Sequence, residues 1–206
     1  MTCVAHCAEG LYSRAKNPVS SALAIRGAGL FARGLTVLTR EGATDEALAC
    51  LGEAAALGGM VISHVRVGLH HAVCHVLGAY LGLAHGTANA VMLPYVLAYN
   101  EPATVLEQRD LARAVHGGLE DAGAGGEVSE ADGAPASAAA AVAQVERLAG
   151  APSSLQEVGV RQQDLEAVAE RTMADRGLFF NPRRVQAIDE VREILEQAWV
   201  GERVHA

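Results

Sequence analysis

The sequence predicts an all-α, multi-helix bundle. Three observations carry that expectation. Half of the 206 residues are hydrophobic while only 4% are aromatic, and Ala, Leu, Val and Gly make up the bulk; this is the composition of closely packed helices rather than of a β-sandwich. Apolar residues recur at helical spacing along most of the chain, and no strand candidate of convincing length interrupts them. Length allows one domain with a real core, taken here as residues 1–206.

In chain order, residues 2–15 read as a helix that opens without a cap, with His6 and Glu9 three apart on one face. The chain opens as if in the middle of a buried helix. Asn17 and Pro18 end this helix and begin the next, proline being tolerated in a first turn. Residues 20–39 form a long helix whose Gly27, Gly29 and Gly34 lower its own stability and so imply close helix contacts. Thr44, Asp45 and Glu46 cap a third helix reaching about residue 65, where Ala54, Ala55, Ala56, Gly58 and Gly59 imply tight packing. The next segment, 68–86, holds four of the eight histidines: His70, His71, His75 and His85.

His71 and His75 are one turn apart, about 6 Å along a helix axis. An unbroken helix would carry His85 roughly 21 Å from His71, at about 1.5 Å per residue. Gly78 and Gly82 lower the cost of leaving the helix and turning back. The segment therefore reads as helix, turn, helix, with imidazoles converging; neutral imidazole is a common metal ligand and a ready proton donor. The second helix, 86–99, is the most apolar and is expected to be central, with Pro94 kinking it or marking a change of segment. Residues 100–102 end it, and 103–119 form another helix. From residue 120 the periodicity vanishes, and 121–135 reads as a mobile surface loop. Helices resume at 136–149, 163–174 and 183–198, with a serine-capped turn at 150–155 and a break at 177–182.

Charged residues are 19% of the chain and the net charge is -8, which argues against a nucleic-acid or anionic-membrane partner. No uninterrupted apolar run reaches membrane-spanning length. The first residues lack the pattern of a signal peptide, so the protein is expected in the cytoplasm with Cys3, Cys7, Cys50 and Cys74 as reduced thiols. Cys3 and Cys7 lack paired Cys-x-x-Cys spacing and read as buried thiols.

The segments Leu69 to Gly78, Leu83 to Gly86 and Ala90 to Asn100, with His6, Glu9, Asn17 and Pro18, resemble the C-terminal helical domain of the iron-containing alcohol dehydrogenase superfamily. The doubled histidine, the turn from Gly150 to Leu155 and Asn181-Pro182-Arg183 resemble its maleylacetate reductase branch. The likeness covers nearly the whole chain, in order. It implies a dehydroquinate synthase-like helical fold whose partner, an N-terminal α/β domain that binds NAD(P)H, is absent here. A dinucleotide fingerprint needs a strand, a glycine-rich turn and a helix; Gly123 to Gly126 has no strand before it.

Carried over, the likeness makes His6, His71 and His85 the ligands of Fe²⁺ or Zn²⁺, and His75 the proton-transferring catalytic residue. Metal-binding members also use an aspartate four residues before the first histidine, where this chain has Thr2. Without that anion, the same histidines would bind the carboxylates of a small dicarboxylate as hydrogen-bond donors. The implied reaction is NAD(P)H-dependent reduction of maleylacetate to 3-oxoadipate in aromatic-compound degradation, by a homo-oligomer or in company with a dinucleotide-binding partner. Two alternatives are an iron- or zinc-dependent alcohol dehydrogenase-like domain and a non-catalytic orphan helical domain.

Overall fold

A computed structural model describes residues 1–123 and 137–201. Among these the secondary structure is entirely helical: α1 (Thr2–Tyr12), α2 (Pro18–Glu41), α3 (Asp45–His64), α4 (Leu69–Leu81), α5 (His85–Asn100), α6 (Val105–Asp121), α7 (Ala138–Leu148), α8 (Leu165–Met173) and α9 (Ile188–Val200). Short 3₁₀ turns at Glu101–Ala103, Gln162–Asp164 and Arg176–Phe180 join some of them. The loop expected at 121–135 falls largely on residues outside the described set; α6 itself runs on to Asp121, and Gly123 turns away with φ of 71°.

Local chemistry accounts for the boundaries. Asn17 Oδ1 accepts from the N–H groups of Val19 and Ser20, and Ser20 Oγ accepts from Asn17 N–H, a reciprocal cap around Pro18. Thr44 Oγ1 accepts from Ala47 N–H at the start of α3. Helix α1 stops at Tyr12, three residues earlier than the sequence suggests. Tertiary bonds take over there: Ser13 Oγ donates to the Arg66 carbonyl and Arg14 N–H to the Phe180 carbonyl. The last helix starts at Ile188 rather than near 183, because Glu190 Oε1 accepts from the N–H groups of Gln186 and Ala187 and fixes the entry. Helix α5 passes through Pro94 without ending, so the Ala90 carbonyl lacks its usual helical donor.

The buried side chains fall into two clusters. The first joins α1, α2, α3, α6 and α7 with Leu93 and Leu97 of α5. The second joins α4, α8 and α9 with Ala88, Val91, Met92, Tyr95 and Val96 of α5. Helix α5 is thus buried on both sides, as its apolar sequence implies. Helices α2 and α3 lie side by side, tied at the surface by Arg26–Glu53 and Arg33–Glu46 pairs. By length and composition both are apolar enough to cross a membrane, although Arg26 and Arg33 interrupt the apolar run of α2 and Glu53 that of α3. Half of the relevant stretch of α2 is buried in the bundle, but only 22% of that of α3; Leu48 and Met60 stand out from α3 into solvent.

Glycines set the closest approaches. A Cβ on Gly34 would lie 2.8 Å from Cys50 Cβ, and one on Gly58 would lie 3.1 Å from Cys3 Sγ. Gly59, by contrast, faces open space, so tight packing belongs to one member of that pair only. A Cβ on Gly118 would sit 2.1 Å from the carbonyl oxygen of Gly29 and 3.1 Å from Ala32 Cβ. Here α2 and α6 meet backbone to backbone. Gly118→Ala is expected to destabilise the fold by roughly 3 kcal/mol, since the helices must separate to admit the methyl. Gly117→Ala is the control: nothing lies within 4 Å of its Cβ, and better helix propensity should leave stability unchanged or slightly raised. Urea midpoints of the two variants check the pair, and equal midpoints would refute the backbone contact.

Candidate functional site

The histidines meet where α1, the start of α4 and the start of α5 come together. Gly82 makes this possible. It ends α4 in the left-handed region, with φ of 71° and ψ of 16°, and its N–H closes on the Gly78 carbonyl. Three residues later His85 opens α5. Ring centroids of His71 and His85 lie 6.0 Å apart, those of His71 and His75 5.9 Å, and those of His75 and His85 5.9 Å. His6, from α1, stacks on His71 at 5.1 Å with the rings 19° from parallel. All four residues singled out from the sequence share one locus. His71 forms its buried floor, His6 is half-buried, and His75 and His85 are exposed at the mouth.

Glu9 holds the floor in place. It is completely buried, and both carboxylate oxygens are engaged. Oε1 accepts from the N–H groups of Gly68 and His70, 3.0 and 3.2 Å away, at the first turn of α4. Oε2 accepts from Nδ1 of His71 at 2.6 Å. The anion thus sits at the positive end of α4 and satisfies N–H groups that the helix leaves unpaired. Asn181 completes the cap: its Oδ1 accepts from Leu69 N–H, while Asn100 and Asn181 exchange side-chain hydrogen bonds. Gly68 must be glycine for this approach. A Cβ there would lie 2.9 Å from Asn181 Oδ1 and 3.2 Å from Glu9 Oε1.

With Nδ1–H of His71 donated to Glu9, the lone pair lies on Nε2. That atom is buried and has no hydrogen-bond partner among the described residues. A carboxylate behind one ring nitrogen, with the other left open, is the usual support of a metal-ligating histidine. Three imidazoles on one ion, with metal–nitrogen bonds near 2 Å, would place their centroids about 5 Å apart. The His6–His71 separation of 5.1 Å matches this and that of His71 and His85, 6.0 Å, lies somewhat beyond it, so a divalent transition metal would be held by His6, His71 and His85 once the rings close on it. Glu9, His70 and His71 also present ligand atoms within 4.8 Å of one another, but both Glu9 oxygens are already committed to N–H donors. His70 is similarly tied, its Nε2 lying 3.3 Å from the Asn89 carbonyl.

Thr2 occupies the place of the aspartate that the resemblance associates with metal. Its Oγ1 accepts from Asn89 Nδ2, 3.3 Å away, and the same amide donates to the His85 carbonyl at 2.8 Å. Asn89 therefore links α1 to the first turn of α5, and its own Oδ1 is buried without a partner among the described residues. The sequence drew no attention to Asn89, and it noted Glu9 for sharing a face with His6 and as part of the resemblance, without a role. Cys7 and Cys74 are buried, Cys3 and Cys50 partly so, and no two are bridged.

Packing imidazoles together depresses their basicity. Burial, then the nearness of His71 and His85, lowers the pKa of His6 to about 4. Burial and His71 push His70 well below its ordinary value, and burial, His71 and His75 lower His85. Between about pH 6.5 and 4 the unfolded chain then binds more protons than the folded one. Stability should be intact above pH 6.5 and fall as the pH drops toward 4. Urea midpoints across that range, without added metal, check the sign; a midpoint rising on acidification would contradict it.

Among proteins of known family, the Fe-containing alcohol dehydrogenase family, C-terminal, matches residues 1–199. Maleylacetate reductase 1 of Cupriavidus pinatubonensis is 32% identical over 203 residues, which are 98% of this chain and 51% of that protein. A 1,3-propanediol dehydrogenase of Citrobacter freundii is 32% identical over 202 residues, covering 97% of this chain and 49% of the relative. The crystal structure of maleylacetate reductase from Rhizobium sp. strain MTP-10005 superposes with a TM-score of 0.82 at 32% identity, over 98% of this chain and 51% of that one. The chain spans about half the length of the curated relatives it matches.

Proposed function

Since this chain belongs to the iron-containing alcohol dehydrogenase family, we propose that it is the helical half of a nicotinamide-dependent oxidoreductase of the maleylacetate reductase kind, reducing maleylacetate to 3-oxoadipate. The observation that supports this most is the graded histidine cluster: a Glu9-anchored His71 at the floor, and His75 at the open edge. Reduction of a conjugated double bond requires a proton at the carbon next to the carbonyl, and stabilisation of charge gathering on the carbonyl oxygen. His75, exposed and beside His71 and His85, is placed to hold and give that proton. His6, His71 and His85 surround the position where the oxygen would lie.

A divalent Fe or Zn ion, when bound by His6, His71 and His85, would polarise that oxygen as a Lewis acid. The chain's own contribution is orientation. Glu9 fixes the tautomer and direction of His71, and Asn89 ties the first turn of α5, and so His85, to α1. Thr2 gives its hydroxyl oxygen to Asn89 and offers no carboxylate. A site of neutral donors suits a dianionic substrate better than an anionic ligand there would, which favours the reductase over the alcohol dehydrogenase. The unpartnered Nε2 of His71 is the observation on the dehydrogenase side, since it would serve a metal equally well.

No strand followed by a glycine-rich turn and a helix, the usual seat of a dinucleotide, occurs among the described residues. The hydride donor is assigned to an α/β partner, and the unbridged thiols suit the cytoplasm. The outward apolar residues of α3 suit a homo-oligomer. The 206-residue chain alone is expected to give no oxidation of NADH with maleylacetate, because donor and acceptor carbons must be held roughly 3 to 3.5 Å apart. Adding a dinucleotide-binding half from a family member should restore turnover with maleylacetate and not with 1,3-propanediol. Turnover by the chain alone, or a preference for the diol once paired, would defeat the proposal.

A further inference from the structure

We propose that Arg171 is the second anchor of the substrate, holding the carboxylate remote from the carbon that His75 serves. This rests on the reductase proposal above and adds what selects a dicarboxylate. An open groove of about 510 Å³ runs from the site between α4 and α8, lined by His75, Val76, Ala79, Tyr80, Arg171 and Ala174. His75 belongs both to this groove and to the imidazole cluster, so a molecule lying in the groove reaches the proposed proton donor.

Arg171 is built to receive an anion there. Its guanidinium carbon stacks 4.3 Å from the centroid of the Tyr80 ring, which orients the planar fork without using its N–H groups. No carboxylate among the described residues pairs with it, whereas its neighbours Arg161 and Arg192 are each paired, to Asp164 and to Glu166 and Asp189. Five donors therefore remain for a ligand, in the geometry that matches a carboxylate. Val76 and Ala79 offer apolar surface for the methylene carbons between two acid groups. The histidines alone would serve a dianion poorly: rings 5 to 6 Å apart cannot all carry charge. Arginine keeps its charge at any working pH. A simple alcohol has no anion for this residue, and a monocarboxylic acid held by the histidines through its one carboxylate has none left for it.

The test is binding of two acids to the full 206-residue chain, followed at the ring signals of His75 by NMR and by calorimetry. One is 3-oxoadipate; the other is 4-oxohexanoate, which keeps the ketone and the nearer carboxylate but has a methyl group in place of the carboxylate remote from the carbon that His75 serves. The native chain should bind the diacid more tightly. Arg171→Gln should weaken the diacid roughly 10- to 100-fold, the loss expected of a charge-assisted hydrogen-bonded pair, and leave the monoacid unchanged. Arg171→Lys should recover part of the difference, which loss of mere packing would not allow. The side chain is exposed, so urea midpoints should not move. If 3-oxoadipate shifts the His75 signals but its advantage survives Arg171→Gln, the role of Arg171 is overturned and the histidine site stands. If neither acid perturbs His75 in the native chain, the dicarboxylate assignment fails and Arg171 with it.

Discussion

Glu9→Ala is expected to destabilise the chain by about 3–5 kcal/mol, the range for removing one partner of a buried, hydrogen-bonded ionic pair. The substitution strands three donors at once: the N–H groups of Gly68 and His70 and Nδ1 of His71. The two backbone N–H groups cannot turn to solvent, because Gly68, Leu69 and His70 are buried. Glu9→Gln keeps an acceptor and nearly the same shape, so its cost should be smaller, roughly 1–3 kcal/mol. Both variants free the His71 ring to rotate, and loss of such an outer-shell carboxylate typically lowers metal affinity 10- to 100-fold. Urea unfolding and competition with a zinc chelator measure the two effects separately. A Glu9→Ala chain within about 1 kcal/mol of the native one would show that the carboxylate does not support α4.

His75→Ala should have the opposite profile. The side chain is exposed and carries no buried hydrogen bond, so stability should stay within about 0.5 kcal/mol of the native chain. In the enzyme assembled with a dinucleotide-binding half, kcat for maleylacetate should fall roughly 10²- to 10⁴-fold, the usual contribution of a positioned general acid. Binding of substrate should change much less, since Arg171 and the floor histidines remain. A variant that keeps kcat within a few-fold would remove His75 from the proton path. The two substitutions thus separate a residue that holds the site from one that acts in it.

The contrast also shows what the sequence discloses and what it hides. His71 and His75 at one-turn spacing, with Gly82 before His85, are signals within a stretch of fifteen residues. Local stereochemistry is enough to bring those rings together, and the structure does so. Glu9 meets His71 across 62 positions and Asn181 meets Leu69 across 112. No periodicity reports such a meeting, because it depends on how α1 packs against α4 and on where the chain returns after α8. The weak signal for Glu9 was an acid in the apolar stretch Val4 to Leu11; a charge buried there needs a partner. Boundaries failed for the same reason. Helix α1 ends where Arg66 and Phe180 supply bonds, and α9 begins where Glu190 caps it, three residues after Ala187.

The two apolar clusters have an order in time as well as in space. They interleave along the chain: α4 belongs with α8 and α9, yet α6 and α7, which close the first cluster, are made in between. No single cut yields two pieces that each keep a whole core. During synthesis Leu69, Val73 and Leu77 of α4 emerge long before Val168, Val191 and Leu195, the residues that bury them. Until then α4 has only α1 and α5 to lie against. The four histidines are all present by residue 85, but the apolar cluster behind α4 is complete only when the final helix docks. A ribosome-bound chain stopped before α9 would carry every ligand of the site and still lack the framework that fixes their directions.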